Sequence, residues 1–295
     1  MSTVINVPPS LDDQTFEQVL EQVAPLPADE KILLDARHTR WASPYGLASL
    51  LTLGQARAHA RPTLAVPESD DTASYWARAN FFHYADELFD LTGLVPKRTG
   101  GGESQVLLEL TPITRSEDVH DIVGRIQQKA QQIIAHELGI DARAIVGFSM
   151  TLSEVCQNIT EHAGLGGWVM VQSYNWTRRL GRRVVVIAVC DAGVGFRKSL
   201  ETSGGHVQND RWDDAAALEA AVIRGVSRFR DPGRGQGLAG VRKYIGRWNG
   251  KLSVRSGTAR IAIVPDWDDD VPLEEALPPF PGAQIQVTIP ERVAR

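Results

Sequence analysis

Three short groups of residues in this 295-residue chain have types and spacings suited to chemistry. The first is Glu154, Asn158 and His162, spaced i, i+4, i+8. On a helix each step of four rotates only about 40°, so all three share one stripe. Leu152, Val155, Cys156 and Ile159 lie round toward the other side, where a core would be. Asn in such a stripe is a poor choice by helix propensity. A solvent-facing helix surface would nevertheless read the same way. The second group is Asp191-Ala-Gly-Val-Gly195, directly after the apolar run Val184–Cys190. An Asp at a strand end can accept hydrogen bonds from an amine, and the glycines let backbone pass close to a ligand. A tight strand-to-loop turn is the plainer reading. The third is Gly233-Arg-Gly-Gln-Gly237-Leu238. Alternating glycines opening a helix offer N–H groups and a positive dipole end to an anion, and Arg234 adds charge. A flexible loop is again the plainer reading. It is neither a Walker loop nor a dinucleotide fingerprint, since no GK[ST] follows and no strand leads into it.

The elements that must position these groups can be read from periodicity. Thr3–Val7, Ile32–Asp35 and Pro62–Val66 read as strands. Phe16–Val23, Gly46–His59 and Ala73–Asp90 read as helices, with Leu47, Leu50, Leu51 and Leu53 as the core face of the second. Alternating strands and helices predict a small α/β layer over residues 1–95. Pro96–Ser104 (PKRTGGGES) reads as a flexible linker. Beyond it, Gln105–Leu110 is a strand, and helices follow over about Glu117–Leu138 and Ala142–His162. Trp168–Trp176 and Arg183–Cys190 are β-rich. Asp213–Gly225 and Leu238–Trp248 are helical, and Lys251–Arg255, Ala259–Val264 and Gln284–Ile289 are strands. Pro265–Pro281, rich in Asp and Pro, reads as an exposed loop. The order predicts an α+β sandwich over 105–295, with helices on one face of a mixed, mainly antiparallel sheet.

Composition narrows the classes further. Hydrophobic residues are 43% and charged residues 23%, ordinary for a globular protein. The longest clean apolar run has seven residues, too short to span a membrane. MSTVINVPPS carries no signal-like pattern. Cys156 and Cys190 sit in apolar patterns, so neither a disulfide framework nor a cysteine metal site is expected. The expected compartment is a reducing cytosol. Net charge is −5, and all of it lies in residues 1–100, with 8 basic against 13 acidic residues. Arg224–Arg260 holds ten basic residues and one acid, Asp231. That run predicts a positive field, suited to phosphate or to nucleic acid.

Taken together and in this order, SEVCQNITEHA, DAGVGF and GRGQGLAGV resemble the GHKL ATPase superfamily. That superfamily includes histidine-kinase catalytic domains, anti-sigma serine kinases, gyrase-type ATPases and heat-shock chaperone ATPases. The resemblance covers about residues 105–295. It implies ATP and Mg²⁺ as cofactors and Glu154 as the catalytic residue, positioning or activating a water or hydroxyl. It implies that Asn158 holds Mg²⁺ against the phosphates and that Asp191 bonds the adenine amino group. Gly193 and Gly195 would shape the adenine pocket. Gly233, Arg234, Gly235, Gln236, Gly237 and Leu238 would form the phosphate cradle, with residues 196–232 as a lid. A last box would be Gly282–Pro290, where Ala283 stands in place of the usual Thr.

KILLDARHTRWASPYGLASLL resembles, more weakly, a STAS domain. In anti-sigma antagonists of that family a phosphorylated serine precedes the glycine. Here Pro44 falls at the phosphoacceptor position, and Ser43 is out of register. The resemblance implies a degenerate STAS-like scaffold for docking. His136-Glu137 only faintly resembles a histidine-kinase phosphoacceptor, because Leu138-Gly139 ends that helix. His162 reads as a helix cap. The expected function is therefore an ATP-binding regulator, with Mg-dependent hydrolysis coupled to lid closure and partner binding. The alternatives are an anti-sigma-type protein serine kinase, a nucleotide-gated binding module and a nucleic-acid-binding protein using the basic run with Phe229, Tyr244 and Trp248. Expected partners are ATP, a regulatory protein docking on the STAS-like domain and a second copy of the chain. Nucleic acid ranks below these, and no membrane partner is expected.

Overall fold

The computed structural model describes residues 2–97, 106–129, 149–150, 152–157, 159, 166–177, 180–202, 212–226 and 237–291. The N-terminal third contains β1 (Thr3–Asn6), β2 (Ser10–Leu11), α1 (Phe16–Val23), β3 (Ile32–Asp35), β4 (Trp41–Ala42) and α2 (Pro44–Ala56). It continues with β5 (Thr63–Ala65), α3 (Asp70–Arg78), α4 (Phe81–Leu88) and β6 (Asp90–Thr92). Phe16, Val19, Leu20 and Val23 repeat at helical spacing and are buried, which fixes the inner face of α1. The helix expected over Ala73–Asp90 is two helices and a strand. Asn80 adopts φ 64° between α3 and α4, a conformation that ends a right-handed helix. Strands β1, β3, β5 and β6 form a four-stranded sheet in that order, every pair parallel.

The remainder contains β7 (Val106–Ile113), α5 (Ser116–Lys129), helical residues 152–157, β8 (Gly167–Trp176), β9 (Arg182–Asp191) and α6 (Gly195–Glu201). It continues with α7 (Asp214–Leu218), a π-helical turn (Glu219–Ile223), α8 (Gly237–Arg247), β10 (Lys251–Gly257), β11 (Ala259–Ile263), β12 (Leu273–Glu274) and β13 (Phe280–Pro290). Seven strands form one sheet in the order β12-β11-β10-β13-β9-β8-β7. Every neighbouring pair is antiparallel, so the sheet is not mixed.

Alternation along these strands divides the sheet into two buried faces. Val185, Ile187 and Val189 of β9 join Leu152, Val155, Cys156 and Ile159 in a core under the second helix layer. Ala188 and Cys190 point the other way and pack in a different core with α2. Trp168 and Met170 of β8 and Phe280 of β13 do the same. The helices of residues 106–291 that join a sheet core thus lie on one face, as expected, and the N-terminal third covers the other with α2. This explains a second departure. The Gly46–His59 helix was expected to be amphipathic; α2 starts at Pro44 and is buried continuously from Pro44 to Gly54. A helix that is buried all round needs an apolar partner on each side, and α2 has the parallel sheet on one and β8, β9 and β13 on the other.

Two glycines let α2 fit this slot. A Cβ at Gly46 would lie 2.5 Å from the Leu11 carbonyl oxygen, and one at Gly54 would lie 2.5 Å from the Phe89 ring. Ser43 caps the helix: its Oγ accepts the Gly46 N–H at 3.0 Å, and the residue is 4% exposed. Pro44 sits at the first helical turn, where its missing N–H costs nothing.

The polar part of the sheet's second face lies under α1 and residues 12–17. Lys251, Arg255, Arg260, Gln284, Gln286 and Thr288 are all buried there. Lys251 Nζ meets Asp268 at 3.0 Å and Asp270 at 2.8 Å. Arg260 meets Asp270 at 2.6 Å and Glu274 at 2.8 Å. The 265–281 segment is thus not simply an exposed loop, since the Asp268 and Asp270 side chains are 2% exposed. Ser43→Ala is expected to cost about 1 kcal/mol through the lost cap, measured by urea unfolding. Incubation with Mg-ATP followed by peptide mapping should find no phosphate on Ser43, because the hydroxyl is enclosed. Stoichiometric phosphate there would mean that α2 leaves its slot.

Candidate functional site

Asp191 closes β9 at the point where that strand leaves the sheet. The preceding VVVIAVC run is a strand buried on both faces, and Ala192-Gly193 turns the chain sharply away. The carboxylate accepts the Gly193 N–H at 2.8 Å and a second N–H from Ala283 on the neighbouring strand β13. Gly282, at φ 77°, lies flat against it; a Cβ there would overlap the Asp191 carbonyl oxygen. Gln284 Nε2 donates to the Asp191 carbonyl at 3.0 Å and to the Pro281 carbonyl at 2.9 Å.

Above this floor is a slot lined by Val155 and Ile159 from the helix layer, Val189 from β9, Phe196 and Ser199 from α6, and Ile285 from β13. It is narrow and opens to solvent. Gly195, at φ 73°, starts α6 at its rim, and a Cβ there would lie 2.7 Å from Ser256 Oγ. Ser256 Oγ donates to the Gly282 carbonyl at 2.8 Å and accepts the Phe196 N–H at 3.1 Å. Among the described residues the walls of the slot are apolar apart from Ser199, and the carboxylate at its base is that of Asp191. Burial pushes the Asp191 carboxyl up to about 7, and the two N–H donors only partly oppose that.

Of the residues singled out by sequence, Asp191, Gly193 and Gly195 come together here. Glu154 is half-buried on the helix that supplies Val155 and Ile159. Gly237 opens α8, and Leu238 is buried in the same core as Val155 and Ile159 but is not among the residues lining the slot. Asn158, His162, His136 and the Gly233, Arg234, Gly235 and Gln236 run lie outside the described residues, and so does most of the linker. Within the segment read as a lid, residues 213–226 are built into the body. Ala215, Leu218 and Val222 join the core, and Asp214 accepts from the Thr258 N–H at 2.8 Å and hydroxyl at 2.9 Å. Ser256 and Gln284 were not foreseen. Their only sequence signal is a polar residue in an otherwise apolar strand pattern, which β10 and β13 share at many positions.

The basic run also reads differently in three dimensions. Lys251, Arg255 and Arg260 are buried and ion-paired, and Trp248 is 8% exposed in the core. Both thiols are buried and uncharged; burial pushes Cys190 up to about 12 and Cys156 further up. Among the described residues no group of three or more His, Cys, Asp or Glu converges as a metal site. No helix among them is long and apolar enough to cross a membrane. No protein-family model matches the chain, and no curated protein matches it.

Asp191 makes stability depend on pH. Its folded pKa lies above the unfolded value of 3.8, so the protonated form is favoured by folding. That contribution is complete below about pH 4 and is lost as pH rises through about 7. Asp191→Asn removes the ionisation. Its stability relative to wild type should therefore rise by about 2–4 kcal/mol between pH 4 and pH 8. Urea unfolding at those two pH values checks the sign. A constant difference would mean that Asp191 ionises freely in the slot.

Proposed function

We propose that the chain is an ATP-binding regulatory protein of the GHKL type, with Mg-dependent ATP hydrolysis coupled to partner binding. One observation carries this reading: a buried carboxylate at the base of an apolar slot, flanked by glycines. A purine ring suits such walls, and its exocyclic amine would add a donor to the two N–H groups that the Asp191 carboxylate already accepts. Guanine presents a carbonyl at the corresponding edge, which the carboxylate repels. Further support comes from the order of parts. A helix bearing Glu154, a strand ending in Asp191, a glycine turn and a final strand entered through Gly282 follow one another as the resemblance implies. Mg²⁺ would enter with the triphosphate, held by its oxygens, several waters and the Asn158 amide. Glu154 would align the attacking water. The loop from Gly233 to Gly237, opening α8, would donate N–H groups to the phosphates.

The N-terminal third fits a STAS-like scaffold used for docking. Its four parallel strands and the enclosed Ser43 support a structural role in place of a phosphorylated switch. Nucleic-acid binding is less well supported, because three of the ten basic residues of 224–260 are neutralised inside the protein.

Calorimetry combined with assays for free and protein-bound phosphate tests the proposal. Mg-ATP should bind better than Mg-GTP, and better at pH 8 than at pH 6, since the amine requires the ionised carboxylate. Asp191→Ala should leave both nucleotides bound about equally poorly. Asn158→Ala should weaken Mg-ATP far more than Mg-free ATP. Glu154→Ala should keep binding but cut turnover by about 10²–10⁴. Failure of Mg-ATP to bind the wild-type protein at all would overturn the reading. Phosphate on a partner protein in place of free phosphate would identify a kinase.

A further inference from the structure

We infer that Glu17, acting through Arg255, positions the wall of the Asp191 slot, so that the N-terminal third sets the affinity of a site it does not touch. The inference deepens the reading of that slot as an adenine-nucleotide site and rests on it for the ligand named.

Arg255 is wholly buried, yet its guanidinium makes four hydrogen bonds. Nε and Nη2 reach the two carboxylate oxygens of Glu17 on α1, at 2.6 and 3.1 Å. Nη1 donates to the Gly257 carbonyl at 3.1 Å, and Nη2 also donates to the Pro278 carbonyl. Both carbonyls lie just beyond a break in register between β10 and β13, where the pairing passes from Ser256–Ala283 to Gly257–Phe280. The residues bulged out of the pairing are Pro281 and Gly282, and facing them is Ser256, on the same side of β10 as Leu252 and Val254. It takes the Gly282 carbonyl and the Phe196 N–H, one from each side of the slot. Phe280, two residues before Gly282, is gripped from the same helix. Its ring meets Phe16 edge-on at 5.6 Å and lies 5.7 Å from the Arg255 guanidinium.

Adjacent residues of α1, Phe16 and Glu17, therefore hold β13, which supplies Ala283 and Ile285 to the slot, and its neighbour β10. The chain from Glu17 to Arg255 to Ser256 to Gly282 ends at the Ala283 N–H, which bonds the Asp191 carboxylate. The pair is more than a staple between layers, because the guanidinium holds the two segments beside the bulge, at the Gly257 and Pro278 carbonyls, and Ser256 bonds the Gly282 carbonyl within it. Glu17 and Arg255 are positioning residues, with no contact to the ligand.

Removing Glu17 alone would strand a buried cation and destabilise the fold. The informative variant is therefore Glu17→Met with Arg255→Met in the full chain, which buries no lone charge. It should unfold cooperatively near the wild-type midpoint while its Mg-ATP affinity falls about 5- to 150-fold, the usual range for coupled sites. Glu274→Gln, which disturbs an ion pair of the same sheet away from the bulge, should leave affinity unchanged. Amide hydrogen exchange supplies a readout that overall stability does not move. Without nucleotide, the Phe196 and Ala283 amides should exchange faster in the double variant than in wild type. With Mg-ATP, exchange in α1 should slow in wild type and not in the variant, since coupling is reciprocal. A folded double variant with wild-type affinity and wild-type exchange at Phe196 and Ala283 would overturn the inference. If wild type binds no ATP, the nucleotide reading fails by itself. The ligand-free exchange then decides the positioning claim: faster exchange in the variant supports it, and equal exchange overturns it.

Discussion

The seven-stranded sheet has two faces to bury, and the way α2 covers the second one governs the rest of the molecule. Leu47, Leu50, Leu51 and Leu53 are all within 2% of full burial, each contributing on the order of 1.5–3 kcal/mol. No single sheet could bury a helix with leucines spread round its circumference. Two sheets can, so α2 obliges the N-terminal third and the antiparallel sheet to share one core. The obligation runs both ways. Without α2, Trp168, Met170, Ala188 and Cys190 would form an apolar stripe on a bare sheet face. Gly46 and Gly54 set how closely the layers approach, and Ser43 fixes where the helix starts.

The other half of that face solves a different problem. Lys251, Arg255 and Arg260 are charges inside a protein, which cost much unless they are paired and hydrogen-bonded. Each has carboxylate partners, drawn from three places: α1, the 265–272 segment and β12. A salt-bridged sheet face of this kind adds little net stability over an apolar one. It does define which segments can lie against it. Asp13 shows the limit of the arrangement. It is buried near Lys251 and Arg260 and bonded to Gln286, yet desolvation outweighs these partners and its carboxyl is pushed up. The N-terminal third is thus joined by leucines at one side and by charges at the other, and only the charged side reaches the rim of the slot.

Much of this was legible in the sequence, and the exceptions share a cause. Period-two and period-3.6 patterns located the longer strands within a few residues, because each is decided by its own side chains, but not the two- and three-residue strands β2, β4, β6 and β12, which are too short to show a period. The Asp191 turn was legible for the same reason: an Asp after seven apolar residues, then spaced glycines, has few structural uses. What could not be read was which face meets what. Pro44 to Gly54 contains apolar residues on every side, and that was the sign of a second partner. The partner itself, however, lies over a hundred residues away. Arg255 and Arg260 looked like part of a positive surface, because a basic residue in sequence carries no mark of the carboxylate that will enclose it. The break at Asn80 was hidden too, since Phe81–Leu88 keeps the helical period of the segment before it.

The strand β9 joins these arguments at one residue step. Cys190 faces α2 and meets Ser49 Oγ at 3.6 Å, while Asp191 turns into the slot. A strand cannot shift by one residue without exchanging those two environments. Such a slip would set a carboxylate against leucines and a thiol against the slot. The packing of α2 thereby holds Asp191 in register, although no atom of α2 lines the slot. Fixed register is also what keeps a carboxylate in apolar surroundings that it would otherwise leave. The cost appears in its raised pKa. The Gly193 and Ala283 N–H groups offset only part of it. A donor arriving in the slot would favour the ionised form and recover part of that cost. On this argument, binding and the docking of the N-terminal third draw on the same rigid strand.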